Sequence, residues 1–304
     1  MPQLTIDQPT VMPELPTGHL FNSPPFGTLQ EGAVWRFVLR ESGNPLARIW
    51  FAINGQMAVS GVGATFGSLD YAHGTDEAAL QEFLTTVLAR TQESGIRTVQ
   101  IRHYPFYYAP SDLPVRAFRS LGLQPEVEET NQYLEVDETA FTDKLRPNER
   151  KKLRQCYEAG YAFQQLPAAA LPEVYRLVVA TRQRRGYPVS MSLAALQAAQ
   201  AAMPDKYLLF GVFDGDKLIA ASVSIRVSRQ VLYNFYHADE AAYRSRSPLV
   251  RLVEGIYQYC RFQHISYLDL GISSVGGRLN EGLYRFKKNL GCLDAPKITY
   301  ALTL

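Results

Sequence analysis

Arg116-Ala-Phe-Arg-Ser-Leu-Gly122 and Arg285-Phe-Lys-Lys-Asn-Leu-Gly291 carry arginine, a basic residue, leucine and glycine at the same relative positions, 169 residues apart. The same separation places Leu80 on Leu249, Val87 on Ile256, Ile96 on Ile265 and Ile101 on Leu270. Each pair falls in the same kind of predicted element. A register shared over two helices and a strand makes the chain a tandem repeat of one α/β unit.

The second copy reads most clearly. Tyr207–Val212 is an apolar run closed by Asp214-Gly215-Asp216, a hairpin signal. Leu218–Arg226 alternates, turns at Ser228-Arg229-Gln230 and continues as Val231–His237. These three runs predict an antiparallel meander. Ser247 is placed as an N-cap with Pro248 at the first helical position, and Leu249, Leu252, Val253, Ile256 and Cys260 form one apolar face. A strand over Ser266–Leu270, a helix over Glu281–Asn289 ended near Gly291, and a closing strand over Ile298–Leu304 complete the copy.

The first copy repeats the plan. Leu46–Phe51 and Met57–Ala64 flank Asn54-Gly55, and Leu69–Tyr71 is a short third strand. A helix starting at Thr75 buries Leu80, Phe83, Leu84, Val87 and Leu88. Arg97–His103 is the next strand, followed by a short helix through Phe118 and a strand near Gln132–Val136. The expected organisation is an extended proline-rich arm over 1–28, a first domain over 29–140, a mostly helical connector over 141–204 and a second domain over 205–304. The fold class is α/β in the α+β sense. Each domain is a mixed, mostly antiparallel sheet flanked by helices.

Composition narrows the function classes. With 46% hydrophobic and 20% charged residues the chain has the makings of well-packed domains, and a formal charge of +2 supplies no global field for nucleic acid or an anionic membrane. Cys156, Cys260 and Cys292 form no CxxC pair and read as buried thiols. No run approaches the roughly 20 apolar residues of a membrane span, and the N-terminus lacks the basic and apolar regions of a secretory signal. The expectation is a cytoplasmic protein. His19, His73, His103, His237 and His264 show no metal-ligand spacing, so no metal is expected.

Three meander strands, a helix, a strand, a helix and a closing strand follow the element order of the GNAT acyltransferases. The tandem arrangement resembles the Fem-type and cellulose-biosynthesis-associated branch of that superfamily. The resemblance is carried by Tyr243-Arg-Ser-Arg-Ser-Pro248, Tyr267-Leu-Asp-Leu-Gly271 and Gly282-Leu-Tyr-Arg-Phe-Lys-Lys-Asn-Leu-Gly291. Leu153-Arg154 and the Arg185-Gly186 loop add to it. It implies N-acyl transfer, in which an amine attacks acyl-CoA or, in the Fem branch, an aminoacyl ester on tRNA. Acceptors would be small, sugar-linked or peptide amines. Such chemistry needs an anchor for phosphates, a base and an acid. A binding module that keeps the fold without the chemistry is the third possibility.

The candidate residues lie in the second copy. The helix start at Ser247, with Leu249 behind it and Arg244 and Arg246 before it, is the expected anion anchor. Pro248 removes one donor amide there, and the glycine-rich loop usual in the family is absent. In the first copy, His73-Gly74-Thr75-Asp76-Glu77 puts acids where phosphate would lie, so that copy reads as a scaffold. His237 is a candidate base, with Tyr236 beside it at the strand end, and Asp269 is a candidate substrate or base residue. Tyr284 is placed to protonate a leaving group, and Lys287, one turn on, to pair with phosphate or carboxylate. For each, packing or solvation is the plain alternative. The basic run Arg150–Arg154 reads as a solvated face or as a contact for RNA or a diphosphate, and Gly61-Val-Gly63-Ala-Thr-Phe-Gly67 as a tight turn rather than a dinucleotide loop.

Overall fold

A computed structural model describes residues 4–15, 18–109 and 111–304. They form two compact units, each holding one copy of the repeat. The first contains β1 (Leu4–Asp7), a one-turn helix α1 (Pro24–Gly27), β2 (Val34–Glu41), β3 (Asn44–Asn54), β4 (Met57–Val59), β5 (Asp70–Tyr71), α2 (Glu77–Glu93), β6 (Thr98–Arg102) and α3 (Leu113–Ser120). A long strand, β7 (Gln124–Glu135), starts in this unit and ends in the second. Then come α4 (Phe141–Lys144), α5 (Pro147–Glu158), β8 (Ala162–Leu166), α6 (Leu171–Arg184), α7 (Leu193–Ala202), β9 (Tyr207–Asp214), β10 (Lys217–Arg226), β11 (Val231–Asp239), α8 (Pro248–Phe262) and β12 (Tyr267–Ile272). A small hairpin, β13 (Ser274–Val275) and β14 (Arg278–Leu279), precedes α9 (Glu281–Asn289) and β15 (Leu293–Thr303).

The first unit's strands run in the order β1-β2-β3-β4-β6-β15, with β5 beside β3. The second unit's run β7-β12-β11-β10-β9-β8. Every pairing within a unit is antiparallel except one, β4 with β6 in the first and β11 with β12 in the second. The core of each unit lies where a helix covers this sheet. α2 lays Leu80, Phe83, Leu84 and Val87 on Phe37, Ile49 and Val99. α8 lays Leu249, Leu252, Val253 and Ile256 on Phe210, Ile219 and Leu268. Burying each such side chain contributes about 1.5–3 kcal/mol, which is why the 3.6-residue stripe specifies these helices.

The structure corrects several expectations. The closing strands are exchanged. Ile298–Leu304, expected to complete the second copy, pairs with β6 of the first unit, and residues 131–135 of β7 pair with β12 of the second. Strand partners are not encoded locally, so periodicity identified both strands and misassigned both.

The supposed connector belongs to the second unit: β8 is an edge strand on β9, and α6 and α7 pack within that unit. The first meander strand of the first copy is β2, which joins β3 through Ser42 and Gly43, both left-handed, as a type I′ turn requires. Asp76 rather than Thr75 caps α2, its carboxylate accepting from the Ala79 amide at 2.7 Å, while the Thr75 hydroxyl turns back to Ala72 O.

The arm is not free either. β1 pairs with β2, and Leu20, Phe21 and Phe26 are buried. His19 donates from Nδ1 to Asp70 at 2.6 Å and from Nε2 to Tyr108 O at 2.7 Å, with Arg48 on the same carboxylate at 2.9 Å. These side chains are anchored singly, through short turns, which explains the lack of periodicity.

Candidate functional site

Within the second unit, β11 and β12 pair in parallel only from Val231–Tyr233 against Tyr267–Asp269. Past that point β11 stays with β10 but slips by one residue: Ser224 faces Asn234 and Val223 faces Tyr236, leaving Phe235 as a bulge. One extra residue reverses the alternation of side chains. Asn234 and His237 therefore share a face, which lines a cavity, and Tyr236 is turned to other neighbours.

A cavity of about 520 Å³ opens there. His237 and Asp239 of β11 line it, with Arg244, Ser247 and Leu249 from the α8 approach. Lys152 of α5, Arg185 and Tyr187 after α6, and Asn280 and Phe286 at α9 complete the wall. Gly186 adopts φ +72°, ending α6 and turning the chain so that residues on both sides of it reach the wall. Asn280 caps α9 through the Leu283 amide and donates to the Tyr187 hydroxyl at 2.6 Å, joining two sides of the rim.

The charge at this wall is mostly positive. Asp239, nearly fully buried, is held by Arg184 at 2.5 Å and lies 3.8 Å from Arg244. Lys152 pairs with buried Glu149 at 3.0 Å. Arg185 makes no ion pair among the described residues; burial, chiefly, and the neighbouring arginines lower its pKa, with Asp239 opposing them. Burial, reinforced by Lys287, Arg185 and Arg182, pushes the His237 imidazole down to about 3. It is neutral at physiological pH, against the expectation of a near-neutral base. Strand periodicity located His237 correctly but says nothing of cations delivered by other elements.

The remaining candidates separate. Ser247 occupies the N-cap position of α8, but its backbone is left-handed (φ 52°, ψ 60°) and its hydroxyl makes no capping bond. Leu249 is buried against the cavity. Arg246 donates to the Tyr161 hydroxyl at 3.3 Å and is not among the lining residues, unlike Arg244. The Tyr236 hydroxyl accepts from the Ser190 and Met191 amides at 3.0 and 3.1 Å, bracing the loop after α6.

Asp269 is buried and accepts from Asn131 at 3.0 Å and the Gly271 amide at 2.7 Å. The Tyr284 hydroxyl donates to Asp294 at 2.8 Å, which raises its pKa. Lys287 is neither solvated nor available to a phosphate. It is 2% exposed, and its ammonium donates to Gly271 O and Ile272 O at 2.8 and 3.0 Å. Burial lowers it to about 8.

Asp239, Tyr187 and Asn280 escaped sequence reasoning. Nothing local marks them, whereas Lys152 sits in the basic run weighed as a solvated face or as a contact for RNA or a diphosphate. In the first unit, the corresponding helix start is filled by the Asp76 carboxylate. Among the described residues no cluster of His, Cys, Asp and Glu suits a metal ion, and no helix is long and apolar enough to cross a membrane.

Residues 143–288 match the family model of the Acetyltransferase (GNAT) domain. No curated protein matches the sequence. Among solved structures, FemX is similar with a TM-score of 0.72 at 12% identity, over 95% of this chain and 94% of its own. The C-terminal domain of a putative lysylphosphatidylglycerol synthetase from Agrobacterium fabrum gives 0.61 at 12% identity, over 91% and 86%. A tandem GNAT protein from the clavulanic acid biosynthesis pathway gives 0.53 at 11% identity, over 89% and 83%. Apart from Val275–Arg278 the matched segment falls in the unit that holds the cavity, β8 and the helices before it included, so this unit carries the match to the GNAT domain, and over the whole chain the likeness to FemX and to the tandem GNAT protein is one of fold.

Proposed function

We propose that the chain is an N-acyltransferase whose reaction takes place in the 520 Å³ cavity of the second unit. The observation that carries this reading is the placement of Arg185, Arg244 and Lys152 around the start of α8, beside the point where β11 and β12 part. Side-chain cations there do what a row of helix amides does elsewhere, holding the anionic portion of an activated donor. The acyl carbon then lies toward His237 and the acceptor amine approaches along the parted strands. A neutral imidazole with its pKa near 3 cannot take a proton from an ammonium, so His237 orients the amine by hydrogen bonding. The amine enters neutral and its proton leaves with the departing group.

The favoured donor is acyl-CoA, in keeping with the similar tandem GNAT protein from the clavulanic acid biosynthesis pathway, whose structure was solved without AcCoA. An aminoacyl ester on tRNA is the second reading. It is favoured by Pro248 at the first turn of α8, which deletes an amide that a diphosphate would use. Calorimetry with acetyl-CoA and with aminoacyl-tRNA at low salt separates the two. Arg185→Ala/Arg244→Ala should weaken the binding donor by about 10-fold to 100-fold, since each charge-assisted bond is worth about 1.5–3 kcal/mol before solvent screening reduces it. Binding of neither donor, or binding that the double substitution leaves intact, would leave the fold without this chemistry.

A further inference from the structure

Two buried carboxylates stand behind the cations of the cavity wall. Glu149, in the first turn of α5, is 3% exposed, and its two oxygens accept from the Lys152 ammonium at 3.0 and 3.2 Å. Its carboxylate has no other hydrogen-bond partner among the described residues. Asp239 is as deeply buried: Oδ1 accepts from Arg184 at 2.5 Å, and Oδ2 lies 3.8 Å from Arg244 Nε. The cations are not withdrawn in the same way. Lys152 and Arg244 line the cavity with side chains 36% and 55% exposed. A carboxylate leaves water only at a cost that pairing must offset, so each acid depends on its cation. A half-exposed cation, solvated on its open side, has no such dependence on an acid. What the acids change is the pull that the cations exert on a third group.

We infer that Glu149 and Asp239 are internal counter-ions of the donor anchor: they fix Lys152 and Arg244 at the wall and hold the affinity for the donor's anionic portion low enough for the spent donor to leave. This rests on the acyl-transfer reading above. An ammonium has three N–H bonds, and two of those on Lys152 go to Glu149, which leaves one for a ligand. Asp239 lines the cavity itself, so its charge also opposes an incoming phosphate directly. Arg185, in no ion pair among the described residues, leaves the anchor net positive. Acyl transfer does not alter the anionic portion of the donor: acetyl-CoA and CoA carry the same phosphates, and so do charged and free tRNA. Binding that portion more tightly stabilises donor complex, transition state and product complex alike. It adds nothing to the rate of the chemical step and retards release.

The test is calorimetry of the full chain with acetyl-CoA, CoA, aminoacyl-tRNA and uncharged tRNA, followed by steady-state transfer from the donor that binds. Glu149→Gln keeps the shape and removes the charge. It should lower the Kd of donor and of spent donor together by about 10-fold, and lower the donor KM without raising kcat. Asp239→Asn should act in the same direction. Lys152→Gln should weaken donor binding by about 10-fold, and adding Glu149→Gln to it should change little further, since that acid acts through Lys152. A purely structural acid predicts the opposite split, a higher KM together with a lower kcat. If Glu149→Gln fails to fold, Asp239→Asn and Lys152→Gln carry the test. Donor binding that is unchanged or weaker in either acid variant, or intact in Lys152→Gln, overturns the inference alone. Binding of no donor by the wild type overturns the acyl-transfer reading, and the inference with it.

Discussion

Two histidines behave alike for one reason and serve different places. His103 in the first unit is buried, bonded to the Ser68 hydroxyl at 2.7 Å, and burial together with the His19 charge pushes it to about 3. His237 is pushed to the same value by burial and by the cations around the cavity. In the unfolded chain both take up a proton near 6.5, while the folded state resists until about 3. The stability they contribute is therefore fully present above about 6.5 and is lost as pH falls through that window. Urea unfolding at pH 7, 6 and 5 should show the loss, and His103→Gln should flatten the slope by about 1.4 kcal/mol per pH unit. Nuclear magnetic resonance should find the His237 ring neutral from pH 5 to 8; a titration near 6.5 would contradict the cationic surroundings described here. Sequence identified both histidines, and the strand end marked His237 as facing something. Its proton affinity was illegible because Arg182, Arg185 and Lys287 arrive from elements distant in the chain.

The start of α8 shows how far element-level reading reaches. Its apolar stripe, its proline at the first position and its start were legible, because all three are local properties. Ser247 was read as an ordinary cap, but φ of 52° is a conformation that non-glycine residues pay about 1 kcal/mol to adopt, and no capping bond offsets it. Ser247→Gly should raise stability by about 1 kcal/mol in a urea titration, and a destabilised variant would show that the hydroxyl has a role the structure does not display. The bulge in β11 was equally hidden. It reverses the facing of Asn234, Tyr236 and His237, so a period-2 reading makes Tyr236 and His237 joint candidates when only one faces the cavity.

At the scale of the whole molecule, the 169-residue register survives in the structure with unusual fidelity. β6 and β12 begin 169 residues apart, as do β7 and β15. Gly122 and Gly291 both take positive φ, and His264, with φ of 52°, stands where Gly95 does the same work. The repeat was legible because it preserves helix and strand registers; the exchange of closing strands was not, because pairing is a long-range choice. Removing residues 295–304 should therefore harm the first unit, although they follow the second. Hydrogen exchange should accelerate in Thr98–Arg102, the partner of β15, while β9 and β10 remain protected. Faster exchange in β9 and β10 instead would contradict the exchange. For the cavity of the second unit, the most direct measurement is a crystal structure after soaking with acetyl-CoA and, separately, with an aminoacyl-adenosine. Donor density is expected in this cavity with its carbonyl toward His237 and, for acetyl-CoA, its phosphates near Arg185 and Arg244. Density for a donor anywhere else, or for neither donor, would contradict it.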